Sequence, residues 1–440
     1  MKTLQRLFGN ANSSGAGQAG MIIALVAILI IFSALTGGQT ILPTNVINVF
    51  LAYSYILILA IGMVQVIIAG HIDLSVGSVA ATTGIVVAQA MAGGVPVPLA
   101  IVLGLLVGAA IGAWQGFWVA FVRVPAFIVT LAGQLIFRGV NQVIGNSISI
   151  PVPAGYQFIG NGFIPDFGPS TPFSNGTVIL GILAVVAIVV REVRARRRRE
   201  RMQANVLPVW GSVVRVVVFS AVAIAVTYEF AAGPVGTSVP IVALILGVLV
   251  LLYGFLTQNT ILGRQIYAVG GNSNAAVLSG VSARRINFFV MFNMSVLASI
   301  AGMVFIANAT ASGPADGLGW ELDAIAAVFV GGAAVAGGVG TVTASIIGGL
   351  VLAFLTNGLS LVGTNSNIVQ IVRGLVLLVA VAFDVYSKTQ GRPSLTGRLL
   401  GGLRRPPGDD TPRSIVDQPT VGTTATTSED LAASGSRPPQ

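Results

Sequence analysis

Long apolar stretches, separated by short polar or glycine-rich connections, follow one another along most of this 440-residue chain. About 20 apolar residues are enough for an α-helix to cross the hydrocarbon of a bilayer, so each stretch predicts a membrane span. We expect one or two of the shorter, glycine-interrupted stretches to be re-entrant segments or half-helices. The pattern predicts an all-α polytopic membrane helix bundle with about 10–12 spans. The twelve candidate spans lie near residues 20–36, 46–69, 75–92, 97–121, 126–145, 176–190, 208–229, 239–257, 286–307, 322–337, 340–361 and 368–386.

The composition agrees with a membrane protein. Hydrophobic residues make up 54% of the chain and charged residues 8%, which is too apolar for a soluble domain of this size. We predict a transmembrane domain at 20–388, a polar cytoplasmic lead-in at 1–19, and a disordered cytoplasmic tail at 389–440 that is rich in Pro, Gly, Ser and Thr. With no cysteine and one histidine, the chain has no thiol chemistry and no His- or Cys-rich metal site.

The basic residues mark one side of the predicted bundle. Seven of the 23 Lys and Arg residues lie in "REVRARRRRER" (191–201), inside a predicted basic cytoplasmic loop at 191–207. When the N-terminus is placed inside, other basic residues fall on that same side: Arg123, Arg264, Arg284, Arg285 and Lys388. The connections on the other side contain no Lys or Arg: 37–45, 93–96, 146–175, 230–238, 308–321 and 362–367. Cytoplasmic loops are enriched in these residues, so the pattern predicts two cytoplasmic termini and argues against nucleic-acid binding.

Two glycine-rich turns resemble each other. "AGHIDLSVGSV" (69–79) and "GGAAVAGGVGTV" (331–342) both close a span and restart with V-G-[ST]-V. Two related halves are a common transporter plan, with the pathway at the interface between repeats. Chance similarity among Gly/Ala/Val-rich spans is the alternative. We predict that Asp73 caps the helix that follows the first turn. The signature residues of the two turns are Asp73, Ser75, Gly77, Gly338 and Gly340.

Charged side chains inside a bilayer are costly, so their positions are informative. None of the carboxylates falls in the middle of a predicted span; those nearest to spans sit at the ends: Asp73, Glu229, Glu321, Asp323 and Asp384. A proton- or sodium-coupled transporter usually needs a membrane-embedded carboxylate, so we expect the energy source to lie outside this chain. Arg138 and Arg215 are the deepest basic residues, and we expect them to snorkel toward an interface, with pairing inside the bundle as the alternative.

Several neutral polar side chains lie within or near the spans. Uncharged donors and acceptors suit a neutral, hydroxyl-rich solute such as a sugar, and they equally serve as hydrogen bonds between helices. For any single residue the interhelical hydrogen bond is the favoured interpretation. The candidates for a translocation path are Gln65, Gln134, Asn141, Asn293 and Asn357.

The segment 258–285 contains the pattern of a short capped helix. Asn272 or Ser273 serves as N-cap, "NAAVLSG" follows, and Gly280 is a helix stop. A short helix that projects from a membrane bundle can dock in a groove on another protein; a surface helix without a partner is the alternative. We predict a coupling function for Gly263, Arg264, Asn274, Ala275, Ala276, Leu278 and Gly280.

Six motifs in order along the chain, "HIDLSVGS", "RVPAFIVTLAGQLIFRG", "LGRQIYAVGGN", "NAAVLSG", "ELDAIAA" and "GGVGTV", resemble the ribose/xylose-type permeases of ATP-binding-cassette sugar importers. The resemblance covers about residues 45–388. It implies a homodimeric pore in the bacterial inner membrane, without a catalytic residue, metal or cofactor of its own. It also implies a cytoplasmic ATPase subunit that binds ATP and Mg²⁺, and an extracytoplasmic sugar-binding protein that delivers a monosaccharide, with D-xylose the first candidate.

The motifs depart from the family pattern at three places. Asn274 stands where the coupling motif has Glu, which puts a salt bridge to the ATPase in doubt. His71 stands where Gly or Glu is expected before "IDLSVG". Two alanines in "GGAAVAGG" replace the usual Thr-Ser pair, so polar contacts are missing there.

Two other classes of protein remain open on the sequence. A major-facilitator-like secondary transporter also has twelve spans with both ends inside, but the lack of carboxylates in mid-span argues against it. A membrane enzyme built on His71 and Asp73 is the other, although His71 has no second histidine or cysteine with which to work.

Overall fold

The computed structural model describes residues 14–169, 171–202 and 209–389. Within these ranges the chain forms fifteen α-helices and two strands, β1 Ile150–Pro151 and β2 Ala311–Ser312. Our predictions for residues 1–13, 170, 203–208 and 390–440 lie outside the described residues. The helices are α1 Ser14–Leu35, α2 Pro43–Ile68, α3 Val76–Ala92, α4 Val97–Phe117, α5 Ala126–Ile144, α6 Ala154–Asn161, α7 Asn175–Arg201, α8 Val209–Ala231, α9 Ile241–Asn259, α10 Ile261–Gly271, α11 Ser273–Leu278, α12 Ala283–Ala309, α13 Trp320–Val330, α14 Val342–Leu361 and α15 Ser366–Thr389.

The all-α membrane bundle predicted from the apolar stretches is confirmed. Eight of the described helices are long and apolar enough to cross a membrane: α2, α4 with its continuation to Val122, α5, α7, α8, α9, α12 and α14. Three shorter apolar helices, Gly20–Leu35, Val76–Ala92 and Ser366–Ala382, add to them. The chain is therefore a multi-pass membrane protein.

The candidate span at 322–337 is one of the half-helices expected among the shorter, glycine-interrupted stretches. Helix α13 has 11 residues and ends at Val330, and Gly332, Gly337 and Gly338 follow with positive φ angles that no continuing helix can contain. Eleven helical residues rise about 16 Å, roughly half of the hydrocarbon thickness, so α13 is a half-helix.

Two other boundaries differ from the sequence prediction. The arginine-rich segment 191–201 is helical and lengthens α7 instead of forming an irregular loop. Helix α1 begins at Ser14, inside the predicted lead-in.

The centre of the bundle is built around α2 and α12. In α2, 78% of the most apolar window is buried, and in α12 the figure is 72%, against 6% for the peripheral α8. Helix α4 approaches α12 along a stripe of glycines spaced four residues apart. A Cβ atom would clash with α12 at each position of this stripe: Gly104, Gly108, Gly112 and Gly116. Small residues permit such close packing where lipid provides no hydrophobic driving force between helices.

The two ends of the bundle differ in charge. At one end, Arg123 and Arg284 line the same cavity as the turn at 70–72 and residues of α11; we call it the basic end. At the other end the connections predicted to lack Lys and Arg contact each other: β1 pairs antiparallel with β2, Ile164 N donates to Val239 O, and Ser174 N donates to Ala231 O. We call this the opposite end.

Candidate functional site

At the basic end, helix α10 packs directly on both glycine-rich turns. A Cβ atom on Gly270 would lie 1.6 Å from the carbonyl oxygen of Ile68, so only glycine fits. Gly338 N donates to the same Ile68 carbonyl at 2.8 Å, and the Tyr267 hydroxyl donates to Gly340 O at 2.7 Å. The two turns that resemble each other in sequence are thus joined to each other and to the segment 258–285 by backbone contacts.

Helix α11 has both predicted ends. The Asn272 side chain is the N-cap and accepts from Ala275 N at 3.0 Å. At the C-terminus Gly280 has φ +87, Gly280 N donates to Val277 O, and Val281 N donates to Ala276 O, which is the Schellman pattern. These bonds hold six residues as a helix that is too short to be stable alone.

The exposed side of α11 is apolar. Leu278 is 90% exposed and Val277 is also exposed, while Ala276 is buried against the bundle. Asn274 and Ala275 are exposed. The helix therefore presents an apolar tip formed by Val277 and Leu278.

The remaining residues predicted for coupling lie in α10. Gly263 is buried, and its Cβ would lie 2.1 Å from Thr257 O, so a side chain there would separate α10 from α9. The Thr260 hydroxyl caps α10 by accepting from Gly263 N at 3.1 Å. Arg264 is exposed.

A cavity of about 990 Å³ separates α11 from the connection between α4 and α5. Its lining includes His71, Arg123, Asn274, Arg284 and Asn287. Burial lowers the pKa of the His71 imidazole below its ordinary value of 6.5, and the neighbouring Asn287 side chain opposes that shift. His71 is therefore held neutral in a cavity that two arginines also line.

Asp73 lies deep in the bundle and is not the N-cap of α3. Ser75 is the N-cap, and Asp73 Oδ1 accepts from Ser75 N at 2.8 Å and from Ser75 Oγ at 2.6 Å, an Asx turn. Gln115 Nε2 donates to Ser75 Oγ at 2.6 Å, and Ser295 Oγ donates to Gln115 Oε1 at 3.4 Å. Ser295 is residue 13 of the 27 in α12, so this group lies halfway between the two ends.

Glu321 lies at the same depth in the bundle as Asp73, on a segment that enters from the opposite end. A Cβ on Gly77 would lie 2.1 Å from Gly317 O and 2.8 Å from Glu321 Oε2, so the first turns of α3 and α13 touch. Asp73 is 1% and Glu321 6% exposed. Our expectation that no carboxylate lies in mid-bundle is wrong, because the ends of these two helices are not at the membrane surface.

The five polar residues proposed for a path form their hydrogen bonds in four separate places. Asn293 Nδ2 donates to Gln65 Oε1 at 3.5 Å and its Oδ1 accepts from the Tyr253 hydroxyl. Gln134 Nε2 donates to Glu321 Oε1 at 2.9 Å, and Asn141 Nδ2 donates to Gly313 O at 3.5 Å. Asn357 exchanges two hydrogen bonds with Asn45, at 2.8 and 2.9 Å.

The geometry gives no support to an enzyme built on His71 and Asp73. His71 lines the cavity at the basic end, Asp73 bonds to Ser75 inside the bundle, and none of the ion pairs formed by the described residues joins the two. Within the described part of the chain no group of three or more potential ligands could hold a metal ion.

The profile of one protein family, described as the branched-chain amino acid transport system / permease component, matches residues 45–381. The chain belongs to this family. Its membrane-spanning bundle is therefore that of a transport-system permease component, and not that of an enzyme.

Several curated relatives of this permease cover most of its length. The xylose transport system permease protein of Haemophilus influenzae is 37% identical over 370 residues, which are 84% of this chain and 96% of the relative. The protein of the same name from Escherichia coli K12 is 38% identical over 372 residues, 84% of this chain and 91% of the relative. The ribose import permease protein of E. coli K12 is 33% identical over 363 residues, 82% of this chain and 92% of the relative. No solved structure matches the chain significantly.

The permease also contains charged side chains that our sequence analysis missed or misplaced. Arg373, the eighth residue of α15, pairs with Asp323 of α13 at 3.2 Å. Its position five residues inside the predicted span at 368–386 was the signal that could have revealed it. Arg215 of α8 pairs with Glu192 of α7 at 3.8 Å, the contact that the pairing alternative predicts. Arg138 lies close enough to Glu321 for their charges to interact.

Proposed function

We propose that this permease is the membrane-spanning subunit of an ATP-binding-cassette importer of a neutral monosaccharide, with D-xylose the first candidate. In this proposal the basic end and both termini face the cytoplasm of a bacterial cell, and the protein lies in the inner membrane. A second copy completes the pore. A separate ATPase subunit binds ATP and Mg²⁺, and an extracytoplasmic binding protein delivers the sugar at the opposite end.

The observation that carries the proposal is the backbone connection from α11 to the bundle interior. Helix α11 exposes Leu278 to a partner. Helix α10 beside it contacts Ile68, directly before the first glycine-rich turn, and Gly340 within the second. Helices α3 and α14 follow these turns. Tight backbone contacts deform little, so a push on α11 moves the start of both helices together.

The choice of a sugar rests on the relatives and on the polar groups of the bundle. The relatives at 37–38% identity are named for xylose and the one at 33% for ribose, although the family description names branched-chain amino acids. Neutral amides and hydroxyls predominate among the polar groups at mid-bundle, such as Gln115 and Ser295. Such groups offer hydrogen bonds to the hydroxyls of a sugar.

Transport in this proposal proceeds by alternating access. The partner ATPase binds two arrangements of the bundle with different affinities, since only differential contacts can shift a conformational equilibrium. Five residues remain candidates for the path: Gln65, Gln134, Asn141, Asn293 and Asn357. Gln134 comes first because it lies beside the buried carboxylate of Glu321. All five are held by hydrogen bonds within the bundle, which must break and re-form if these residues contact the solute.

The experiment is uptake of radiolabelled D-xylose and D-ribose in a strain that lacks its own pentose uptake systems. The permease is expressed with an ATPase subunit and a sugar-binding protein of a pentose importer. We expect uptake with the complete set and none when the ATPase carries an inactivating substitution. Because Asp73 and Glu321 lie in the bundle interior, a secondary transporter has the carboxylates it would need. Uptake that continues without an active ATPase would establish that class and overturn the proposal.

A further inference from the structure

A second cavity lies between α2, α13, α14 and α15 and has a volume of about 480 Å³, within the range of about 300–1,000 Å³ that small-molecule sites occupy. We call it the outer cavity. Ser360 near the end of α14 and Ser366 at the start of α15 are part of its lining and are exposed. The outer cavity therefore reaches the surface at the opposite end of the bundle.

The ion pair Asp323–Arg373 forms one wall of the outer cavity. Arg373 Nη1 donates to Asp323 Oδ2 at 3.2 Å, and Arg373 Nε donates to Thr356 Oγ1 at 2.9 Å. Both charged side chains belong to membrane helices, where ionisable residues are costly and usually mark a substrate pathway. Their side chains remain 26% and 31% exposed, so they are accessible from the cavity.

The rest of the lining combines polar and apolar groups. The Tyr53 phenol, the Gln370 amide and the two serine hydroxyls provide neutral hydrogen-bonding groups, and Leu322, Leu352 and Leu377 cover the remaining wall. A carboxylate that accepts from two hydroxyls, beside a guanidinium and amides that donate, is complementary to adjacent hydroxyls on a sugar ring. The apolar wall is complementary to the C–H face of such a ring.

We propose that the outer cavity is a transient binding site for the neutral monosaccharide that enters this permease from the opposite end, with Asp323 and Arg373 as the residues that contact its hydroxyls. This inference rests on the proposed function as a sugar importer. A phospholipid head group is the competing occupant. The lining opposes it, because Asp323 already neutralises Arg373 and the cavity offers a phosphate no net positive charge.

The experiment compares uptake by Asp323→Asn and Arg373→Lys with uptake by Glu192→Gln. The last substitution breaks the ion pair Arg215–Glu192 between two other membrane helices, away from the cavity. The complete transporter is used, at equal permease levels in the membrane, with D-xylose and D-ribose at limiting concentration. We expect the two cavity variants to lose about tenfold or more in uptake, the factor expected for one hydrogen bond to a charged group. The control should keep uptake at the wild-type level.

A merely structural ion pair would lower the uptake of both sugars by the same factor. Direct contact with hydroxyls changes the ratio of D-xylose to D-ribose uptake, because the two pentoses differ in the orientation of one hydroxyl. We therefore expect this ratio to change in at least one cavity variant. Unchanged uptake in both cavity variants, or equal losses for both sugars, overturns the proposal.

Two further measurements distinguish a lipid site from a permease that does not carry sugars. If native mass spectrometry finds a phospholipid on the wild-type permease that is absent from both cavity variants, and their uptake is normal, the cavity is a lipid site and the proposal is wrong. If the wild-type transporter takes up no pentose or hexose at all, the proposed function fails, and the site assignment fails with it.

Discussion

At the scale of single residues, the basic end of this permease depends on backbone contacts that allow no side chain. Gly270 faces the Ile68 carbonyl at a distance where a Cβ atom would overlap with the oxygen. Its neighbour Gly271 has nothing within 4 Å of the position a Cβ would take. A side chain is therefore excluded at Gly270 but has room at Gly271. The second glycine provides a matched control for substitution of the first.

We predict that Gly270→Ala separates α10 from the first glycine-rich turn. Overpacking of a filled site costs about 1–3 kcal/mol and occasionally more, and here the neighbour is backbone, which cannot rotate away. The thermal midpoint of the purified permease should fall, and sugar uptake should fall with it. Gly271→Ala should leave both unchanged. Equal behaviour of the two variants would show that α10 does not press on Ile68.

A second prediction at this scale concerns His71. Because burial lowers its pKa below the unfolded value of 6.5, the unfolded chain takes up the proton first as the pH falls. The stability that neutral His71 contributes is therefore complete above pH 6.5 and is lost as the pH falls through the folded pKa. Thermal unfolding between pH 7.5 and 5 should show a smaller loss of stability in His71→Asn than in the wild type. Parallel curves would mean that His71 has an ordinary pKa.

Short-range sequence rules predicted the role of some residues correctly and the role of others wrongly. The N-cap Asn272 and the stop Gly280 followed from short-range rules, and both appear in the structure. Asp73 was misjudged because its carboxylate reaches Ser75, two residues on, and not the third amide of α3. Whether a polar residue such as Gln65 faces a pathway or a neighbouring helix depends on tertiary contacts such as Asn293, which no spacing in the sequence reveals.

At the scale of elements, the apolar stretches predicted the number of helical segments better than their depth. Helices α3 and α13 both begin in mid-bundle, where Gly77 in the first turn of α3 meets Gly317, three residues before α13. Each is preceded by a non-helical segment that returns from one end of the bundle, 69–75 from the basic end and 310–319 from the opposite end. Hydropathy measures transfer to lipid and cannot distinguish a full span from two half-spans, so Asp73 and Glu321 were assigned to the surface.

We predict that Gly77→Ala disturbs this junction, because its Cβ would lie 2.1 Å from Gly317 O. Helices α3 and α13 would have to separate, at a cost of about 1–3 kcal/mol. Gly247→Ala in α9 provides the control, since nothing lies within 4 Å of that position. Measured by thermal unfolding and by uptake, the first variant should be impaired and the second normal. Normal behaviour of Gly77→Ala would mean that the two half-helices are not in contact.

The apolar tip of α11 leads to a prediction about the partner. Covering an exposed leucine contributes about 1.5–3 kcal/mol, so Leu278→Asp should weaken binding of the ATPase subunit about tenfold or more. Val235→Asp changes a fully exposed apolar residue at the opposite end and should not alter that binding. The measurement is the amount of ATPase subunit that copurifies with each permease variant. Equal recovery of the ATPase subunit with both variants would show that α11 is not part of the interface with it.

At the scale of the whole molecule, the distribution of basic residues and the contacts between connections both distinguish the two ends of the bundle. The connections without Lys or Arg pair with each other through β1 and β2, while Arg123 and Arg284 share a cavity with residues of α11. The sequence predicted this separation because the positive-inside rule depends on where a charge falls along the chain and not on how helices pack. The sequence could not predict the outer cavity, because one wall of this cavity is the ion pair between Asp323 and Arg373, which lie fifty residues apart in the chain.

The orientation of these two ends can be tested directly, because the natural chain has no cysteine. Leu278→Cys at the basic end and Val235→Cys at the opposite end each introduce one thiol at a highly exposed position. We expect a membrane-impermeant maleimide to label Val235→Cys in intact spheroplasts and to reach Leu278→Cys only after permeabilisation. Both variants should react fully in detergent, which controls for thiols hidden by the fold. Labelling of Leu278→Cys in intact spheroplasts would place α11 outside the cell. An ATPase confined to the cytoplasm could then not reach it, and the proposed coupling would fail together with the orientation.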